Sequence, residues 1–121
     1  MGLSMEAMQR MRDAIGDDDL VLADILQSFV DEVDGLLATL ESAACEGNVK
    51  SMRQSAHTLK SSCRDLGAED LADLCARMEG EARNDIIGEA EQKSAKISAG
   101  CLALKAEVIV FVRKLYEGTG P

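Results

Sequence analysis

Apolar residues recur at intervals of three and four along almost the whole chain, and this spacing predicts amphipathic α-helices. The longest early pattern runs from Leu20 to about Cys45, and the acids at 17–19 precede it. Acidic side chains favour a helix N-terminus, where the helix dipole is positive. Gly47 suits the end of this helix and Asn48 suits the cap of the next one. The apolar positions of the helix predicted from Leu20 to about Cys45 are Leu22, Ile25, Leu26, Phe29, Val33, Leu36, Leu37 and Leu40.

Similar patterns predict four further helices and one fold class. They are a short helix within Leu3–Ile15 capped by Ser4, one from Asn48 to Leu66 stopped by Gly67, one from about Ala68 that fades through Gly80 to a turn at 84–88, and one over about Glu89–Tyr116. The tail at 117–121 is expected to fray. Four amphipathic helices with short connections favour an antiparallel up-and-down bundle, with the first helix as a lid. We therefore expect one all-α domain over 1–121, with the core bundle at about 19–117.

Composition supports an aliphatic helical core. Apolar residues make up 46% of the 121 residues, yet the aromatic residues are two Phe and one Tyr. The single proline stands at the C-terminus, so nothing inside the chain interrupts long helices. No apolar run approaches the roughly 20 residues that span a bilayer, and the N-terminus lacks the apolar core of a signal peptide. A soluble, cytoplasmic protein without a membrane partner is the expectation.

The four cysteines do not suggest a metal site or a disulfide framework. Cys45, Cys63, Cys75 and Cys101 include no C-x-x-C pair, and a single histidine completes no zinc-like cluster. Each cysteine falls on or beside an apolar stripe, where a reduced thiol behaves as a small hydrophobic side chain. We expect core thiols and no metal.

Charge is distributed unevenly along this acidic chain. The formal net charge is −9, yet no acid occurs from Asn48 to Arg64, and that segment holds four cations and the only histidine, His57. An acidic protein is a poor ligand for nucleic acid, because binding phosphates needs a broad cationic surface. One basic patch on an acidic body fits a protein partner that carries an acidic site.

His57 lies at the centre of the basic face of its predicted helix. At about 100° per residue, six polar side chains fall within roughly 60° of it. They are Lys50, Arg53, Gln54, Lys60, Ser61 and Arg64. The apolar side chains of the helix gather on the opposite side, so His57 is predicted to face solvent. An exposed imidazole among cations can attack a phosphorus centre, although an ordinary surface histidine on a solvated face remains an alternative.

Two other chemistries fit the sequence less well. Di-metal helical bundles need inward Glu and Glu-x-x-His pairs, whereas this chain offers Gln54-x-x-His57 on an outward face and no second histidine. A Cys–His nucleophile pair would use Cys63, which lies about 120° around the helix from His57. The sequence therefore predicts neither a di-metal site nor a Cys–His nucleophile.

The segment "AHTLKSSCRDLGA" (56–68) closely resembles the signature of histidine-containing phosphotransfer (HPt) domains of phosphorelays. The matching residues are His57, Leu59, Lys60, Leu66, Gly67 and Ala68. The segments "LADLCARME" (71–79) and "ILQSFVDEVDGLLATLESA" (25–43) are similar to the family's flanking helices, so the resemblance covers about residues 20–83. The chain departs from the family pattern at Ser61, where glycine is more common, and this departure suggests altered partner choice.

The resemblance implies a four-helix bundle with specific roles for three residues. His57 would carry the phosphoryl group on Nε2, Lys60 would stabilise the phosphoryl oxygens by charge, and Glu79 would accept a hydrogen bond from Nδ1. A solvated surface position for Glu79 is the alternative. The partner-binding residues would be Lys50, Arg53, Gln54, Ser61, Arg64 and Gly67.

The function implied is a phosphorelay intermediate without kinase activity of its own, because no glycine-rich phosphate loop is present. Its partners would be response-regulator receiver domains and a (hybrid) sensor histidine kinase, and the chain is expected to be a monomer. No cofactor would be bound by this chain, since the receiver would supply Mg²⁺. Two alternatives stay open: a catalytically silent HPt-like docking module, and a self-associating structural bundle in which His57 is incidental.

Overall fold

Five α-helices account for most of residues 2–118, which a computed structural model of the chain describes. They are α1 (Met5–Ala14), α2 (Asp19–Glu46), α3 (Val49–Asp65), α4 (Glu69–Arg83) and α5 (Ala90–Gly118). The predicted all-α class is confirmed. Within the described residues, no helix is both long enough and apolar enough to cross a membrane.

Side-chain caps fix where the first three helices begin. The Ser4 hydroxyl accepts a hydrogen bond from the Ala7 amide, and Asp18 accepts from the amides of Leu20 and Val21. Asn48 caps α3 in the same way through the Ser51 amide. Each cap satisfies a backbone donor that the helix itself leaves unpaired. The predicted starts of these helices are therefore confirmed to within one or two residues.

The C-terminal helix is longer than the sequence predicts. Glu117 and Gly118 continue α5 in helical conformation, so fraying does not begin at 117, because the apolar stripe that holds the helix on the bundle reaches Leu115. The rest of the predicted frayed tail, 119–121, lies outside the described residues. Before α5, Asp85 and Glu89 adopt positive φ values of 57° and 59°, which closes the predicted turn between α4 and α5.

Helices α2–α5 form a ring in chain order, and α2 packs against α5 to close it. The structure thereby confirms the predicted four-helix bundle, in which α3 and α5 lie diagonally across the core. The short α1 lies over the α3–α4 turn, where the Ser4 amide donates to the Leu66 carbonyl at 3.0 Å. Ala7 and Met8 anchor α1 because both side chains are buried against the bundle.

The core is aliphatic, as composition predicts. Among its largest fully buried side chains are Met8, Leu22, Leu26, Leu40, Met52, Leu59, Ile97 and Leu104. Ile25 and Leu74, which belong to predicted apolar stripes, are instead exposed at the edges of their helices, because the buried stripe is narrower than the apolar one. Of the cysteines, Cys63, Cys75 and Cys101 are buried in the core, whereas Cys45 is exposed near the end of α2.

Candidate functional site

His57 projects from the solvent face of α3, in the middle of the helix. Its side chain is 60% exposed. The opposite face of α3 is buried in the core and consists mainly of Met52, Ala56, Leu59 and Cys63. Because these apolar residues fix the rotation of α3, the basic face defined by the sequence necessarily points outward. His57 therefore stands where a macromolecular partner can reach it.

An open depression surrounds His57 between α3 and α4. Lys50, Arg53, Gln54, His57 and Thr58 line it from α3, and Glu79 lines it from α4. Three of the six predicted partner-binding residues thus border the histidine directly. Thr58 was not among the residues singled out from sequence; its hydroxyl donates to the Gln54 carbonyl.

Glu79 connects α4 to the histidine of α3. Its side chain is only 8% exposed, and its Oε2 lies 2.9 Å from Nδ1 of His57. Its Oε1 accepts a hydrogen bond from Nζ of Lys60 at 2.6 Å. The tight packing of α3 on α4 places all three side chains in one network. Glu79 is therefore not a solvated surface residue, which was the alternative for this position.

The protonation state of Glu79 determines which imidazole nitrogen is free. Burial acts to raise the pKa of Glu79, but hydrogen bonds from Lys60 and His57 outweigh burial and leave the pKa below its ordinary value. Glu79 is thus ionised at neutral pH, and a carboxylate can only accept hydrogen bonds. The proton of a neutral His57 must then reside on Nδ1, which leaves the lone pair of Nε2 available. This tautomer is the one that nucleophilic attack by Nε2 requires.

Arg83 joins the network and was not predicted from sequence. Its Nη2 lies 3.1 Å from Oε2 of Glu79, the same oxygen that contacts His57. The sequence spacing could have indicated this contact, because Arg83 follows Glu79 by four residues and therefore lies one helical turn away on the same face. Its side chain is 60% exposed, so its guanidinium can also meet a ligand.

The remaining predicted residues lie farther along the helix. Lys60 is largely buried and bound to Glu79, yet an ammonium has three donors, so one bond leaves two for a phosphoryl group. Ser61 and Arg64 are exposed, and Nε of Arg64 lies 3.9 Å from Oε2 of Glu69 in α4. Gly67 is not brought to this surface: it lies beneath α1, beside Ser4 and Ala7.

The two cations on Glu79 are expected to contribute unequally to stability. Replacing Lys60 by methionine removes a bond to a buried carboxylate, which costs about 1–3 kcal/mol. Replacing Arg83 by methionine removes an exposed pair one turn apart, which costs about 0.3–0.5 kcal/mol. Urea unfolding of the two variants measures the difference. Equal losses would contradict the assignment of Lys60 as the main partner of the buried carboxylate.

The network also predicts a pH dependence of stability. Because the pKa of Glu79 is lower in the folded chain than in the unfolded chain, its ionised form stabilises the fold. This contribution is fully present above the ordinary glutamate pKa and is lost as the pH falls through the folded value. We expect the difference in unfolding free energy between wild type and Glu79→Gln to be present at neutral pH and to shrink as the pH falls below the ordinary glutamate pKa. A difference that does not change with pH would contradict this.

Comparison with protein families identifies the class. The family model described as the Hpt domain matches residues 24–109. The chain therefore belongs to the Hpt, or histidine-containing phosphotransfer, domain family of phosphorelay proteins.

Comparison with solved structures gives the same fold. The chain is similar to the crystal structure of histidine-containing phosphotransfer protein B (HptB) from Pseudomonas aeruginosa PAO1, with a TM-score of 0.81 and 20% sequence identity. The match covers 93% of this chain and 95% of that one. Comparison with curated protein sequences gives no significant match.

Proposed function

We propose that this chain carries a phosphoryl group on Nε2 of His57 between receiver-domain aspartates. The observation that carries the proposal is the 2.9 Å contact between Nδ1 of His57 and the buried carboxylate of Glu79. This contact orients an otherwise exposed ring and favours the tautomer with a free Nε2. An incidental surface histidine has no need of a buried ionised partner on a neighbouring helix.

The transfer step is a substitution at phosphorus. Nε2 attacks the phosphorus of an aspartyl phosphate, a P–N bond forms, and the P–O bond to the receiver breaks to release the aspartate carboxylate. The ring retains its Nδ1 proton and becomes cationic as the P–N bond forms. Glu79 would stabilise that positive charge through the hydrogen bond from Nδ1, and Lys60 would stabilise the phosphoryl oxygens by its charge.

The charge around His57 suits an acidic partner surface. Lys50 and Arg53 border the histidine, Lys60 and Arg83 approach it through Glu79, and Glu79 is the single acid of the depression. A receiver domain would bring the acidic pocket and its Mg²⁺, so this chain would bind no metal itself. A sensor kinase would supply phosphoryl groups to the relay, and the chain would add no kinase activity. A cytoplasmic location remains a prediction.

The test uses a purified receiver domain that is phosphorylated with radiolabelled phosphate and loaded with Mg²⁺. Mixing it with this chain is expected to move label to the chain in an acid-labile, base-stable form, as a phosphoramidate requires. Adding a second, unphosphorylated receiver is expected to remove the label again. If acid-stable label appears, the modification lies on a hydroxyl group and the proposal is wrong.

The silent docking module is the remaining alternative for this family. It predicts that receivers bind the chain but that no label moves. Binding is measured in the same mixture by isothermal titration calorimetry, with the phosphorylated receiver as titrant. The receiver used must be one that transfers label to another Hpt protein. If that receiver binds this chain but transfers no label to it, the carrier proposal is wrong and the chain is a docking module.

A further inference from the structure

Gly80 lies within α4, one turn before its end, although neither its backbone nor its surroundings require a glycine. Its backbone is not in the left-handed conformation that favours glycine. Apart from the backbone of its own helix, a Cβ at this position would meet no atom of residues 2–118 within 4 Å. Glycine destabilises a helix relative to alanine, because it loses more conformational entropy on folding. The fold therefore gives no reason for a glycine here.

Gly80 is on the same outer side of the bundle as His57. At about 100° per residue, it lies roughly 100° around α4 from Glu79, whose carboxylate contacts α3, and roughly 180° from Leu71, whose side chain lies against Gly100 of α5. Position 80 thus points away from α5 and outward from the α3–α4 pair. Because Glu79 bonds to His57, the residue that follows Glu79 lies level with the histidine.

The proposed transfer brings the main chain of a receiver close to this outer side. Reacting atoms must approach to about 3–3.5 Å. A single methylene separates an aspartate carboxylate from its own backbone, so an aspartyl phosphate reaches Nε2 of His57 only if the receiver's backbone comes near α3 and α4. On α3, the long side chains of Lys50, Arg53 and Gln54 stand around the histidine. On α4, position 80 has no side chain, and this absence lets another backbone approach closely.

We propose that Gly80 is a specificity-determining residue for phosphotransfer, because it leaves the space into which the receiver's backbone fits beside His57. The inference rests on the proposed function, since it names the point at which the same partner contacts α4. A Cβ at position 80 meets nothing within 4 Å, so a side chain there would obstruct the partner and leave His57 and Glu79 in place. Receivers whose own surface is bulky at this point would be excluded.

Gly80→Leu separates docking from chemistry when two radiolabelled phosphoryl donors are compared. The first donor is the phosphorylated, Mg²⁺-loaded receiver, and the second is phosphoramidate, a small ion whose phosphorus Nε2 attacks with release of ammonia. With the receiver, Gly80→Leu is expected to raise KM at least about tenfold, the effect of a side chain inserted into a packed interface. The value of kcat should stay close to that of wild type, because the reacting groups are unchanged. Phosphoramidate should label Gly80→Leu at the wild-type rate.

Gly35→Leu is the matched control. Gly35 is exposed in the middle of α2, and a Cβ there also meets no atom of residues 2–118 within 4 Å apart from its own helix backbone. It follows the buried Val33 by two residues and so points away from the core, on a helix that does not line the depression around His57. Gly35→Leu should leave labelling by both donors unchanged. Urea unfolding checks that both variants are at least as stable as wild type, as expected where leucine replaces glycine in a helix.

The possible results distinguish failure of this inference from failure of the proposed function. An unchanged KM in Gly80→Leu, an equal rise of KM in Gly35→Leu, or slower labelling of Gly80→Leu by phosphoramidate would each overturn the role of Gly80 alone, because wild type would still take up label from the receiver. A wild-type chain that takes no label from the receiver would overturn the proposed function, and the role of Gly80 with it.

Discussion

Replacement of His57 by glutamine is expected to abolish phosphoryl uptake from every receiver that labels the wild-type chain. The glutamine amide can still donate a hydrogen bond to Glu79, so the network is preserved in part. It has no nucleophilic nitrogen, however, because the amide lone pair is delocalised into the carbonyl. Since the His57 side chain is 60% exposed and the glutamine keeps a donor for Glu79, the free energy of unfolding should fall by no more than about 1.5 kcal/mol, the net contribution of one hydrogen bond. The expected result is complete loss of transfer in a fully folded protein.

Thr58→Val is the matched control for this variant. Thr58 follows His57, is exposed and borders the same depression, but among residues 2–118 its hydroxyl bonds only to the Gln54 carbonyl of its own helix. We expect Thr58→Val to take up label at a rate close to that of wild type. If His57→Gln still takes up acid-labile label, the phosphorylated residue is not His57. If both variants fail to take up label, the loss in His57→Gln cannot be assigned to the missing imidazole.

The basic face of α3 could be predicted because the pattern within one helix determines it. Apolar residues at 52, 56, 59 and 63 leave only one orientation for the polar side, and His57 lies at its centre. The caps at Ser4, Asp18 and Asn48 are equally local, since each concerns residues within one turn. Such features need no knowledge of how helices meet.

The network on Glu79 could not be obtained from periodicity in the same way. Glu79 is buried because α4 presses its edge against α3, and a helical wheel of α4 alone places it only at the border of the apolar stripe. The family resemblance supplied the expectation that Glu79 bonds to His57. The contact between Arg83 and Glu79, in contrast, could be found only from the structure. For α5 the sequence contains two apolar stripes, and only the packing decides which one is buried.

Gly67→Ala is expected to destabilise the chain by about 2–4 kcal/mol, the largest stability loss among the changes considered. Gly67 has a φ of 80°, a left-handed conformation that costs an L-residue about 1–2 kcal/mol. A Cβ at this position would also stand 2.9 Å from Cβ of Ala7 and still closer to Cβ of Ser4. Neither neighbour is the end of a flexible side chain, so α1 must move away from the α3–α4 turn. Urea unfolding measures the loss.

Gly47→Ala separates the backbone cost from the steric one. Gly47 has a similar φ of 70°, but a Cβ there would meet only Cδ1 of Ile87, at the ordinary distance of 3.7 Å. Its substitution should therefore cost only the conformational part, about 1–2 kcal/mol. The excess loss in Gly67→Ala then reports the contact with α1, and faster proteolysis before Asp18 should accompany it. Equal losses in the two variants would mean that α1 does not pack on Gly67, and that the glycine of the Leu-Gly motif serves the turn alone.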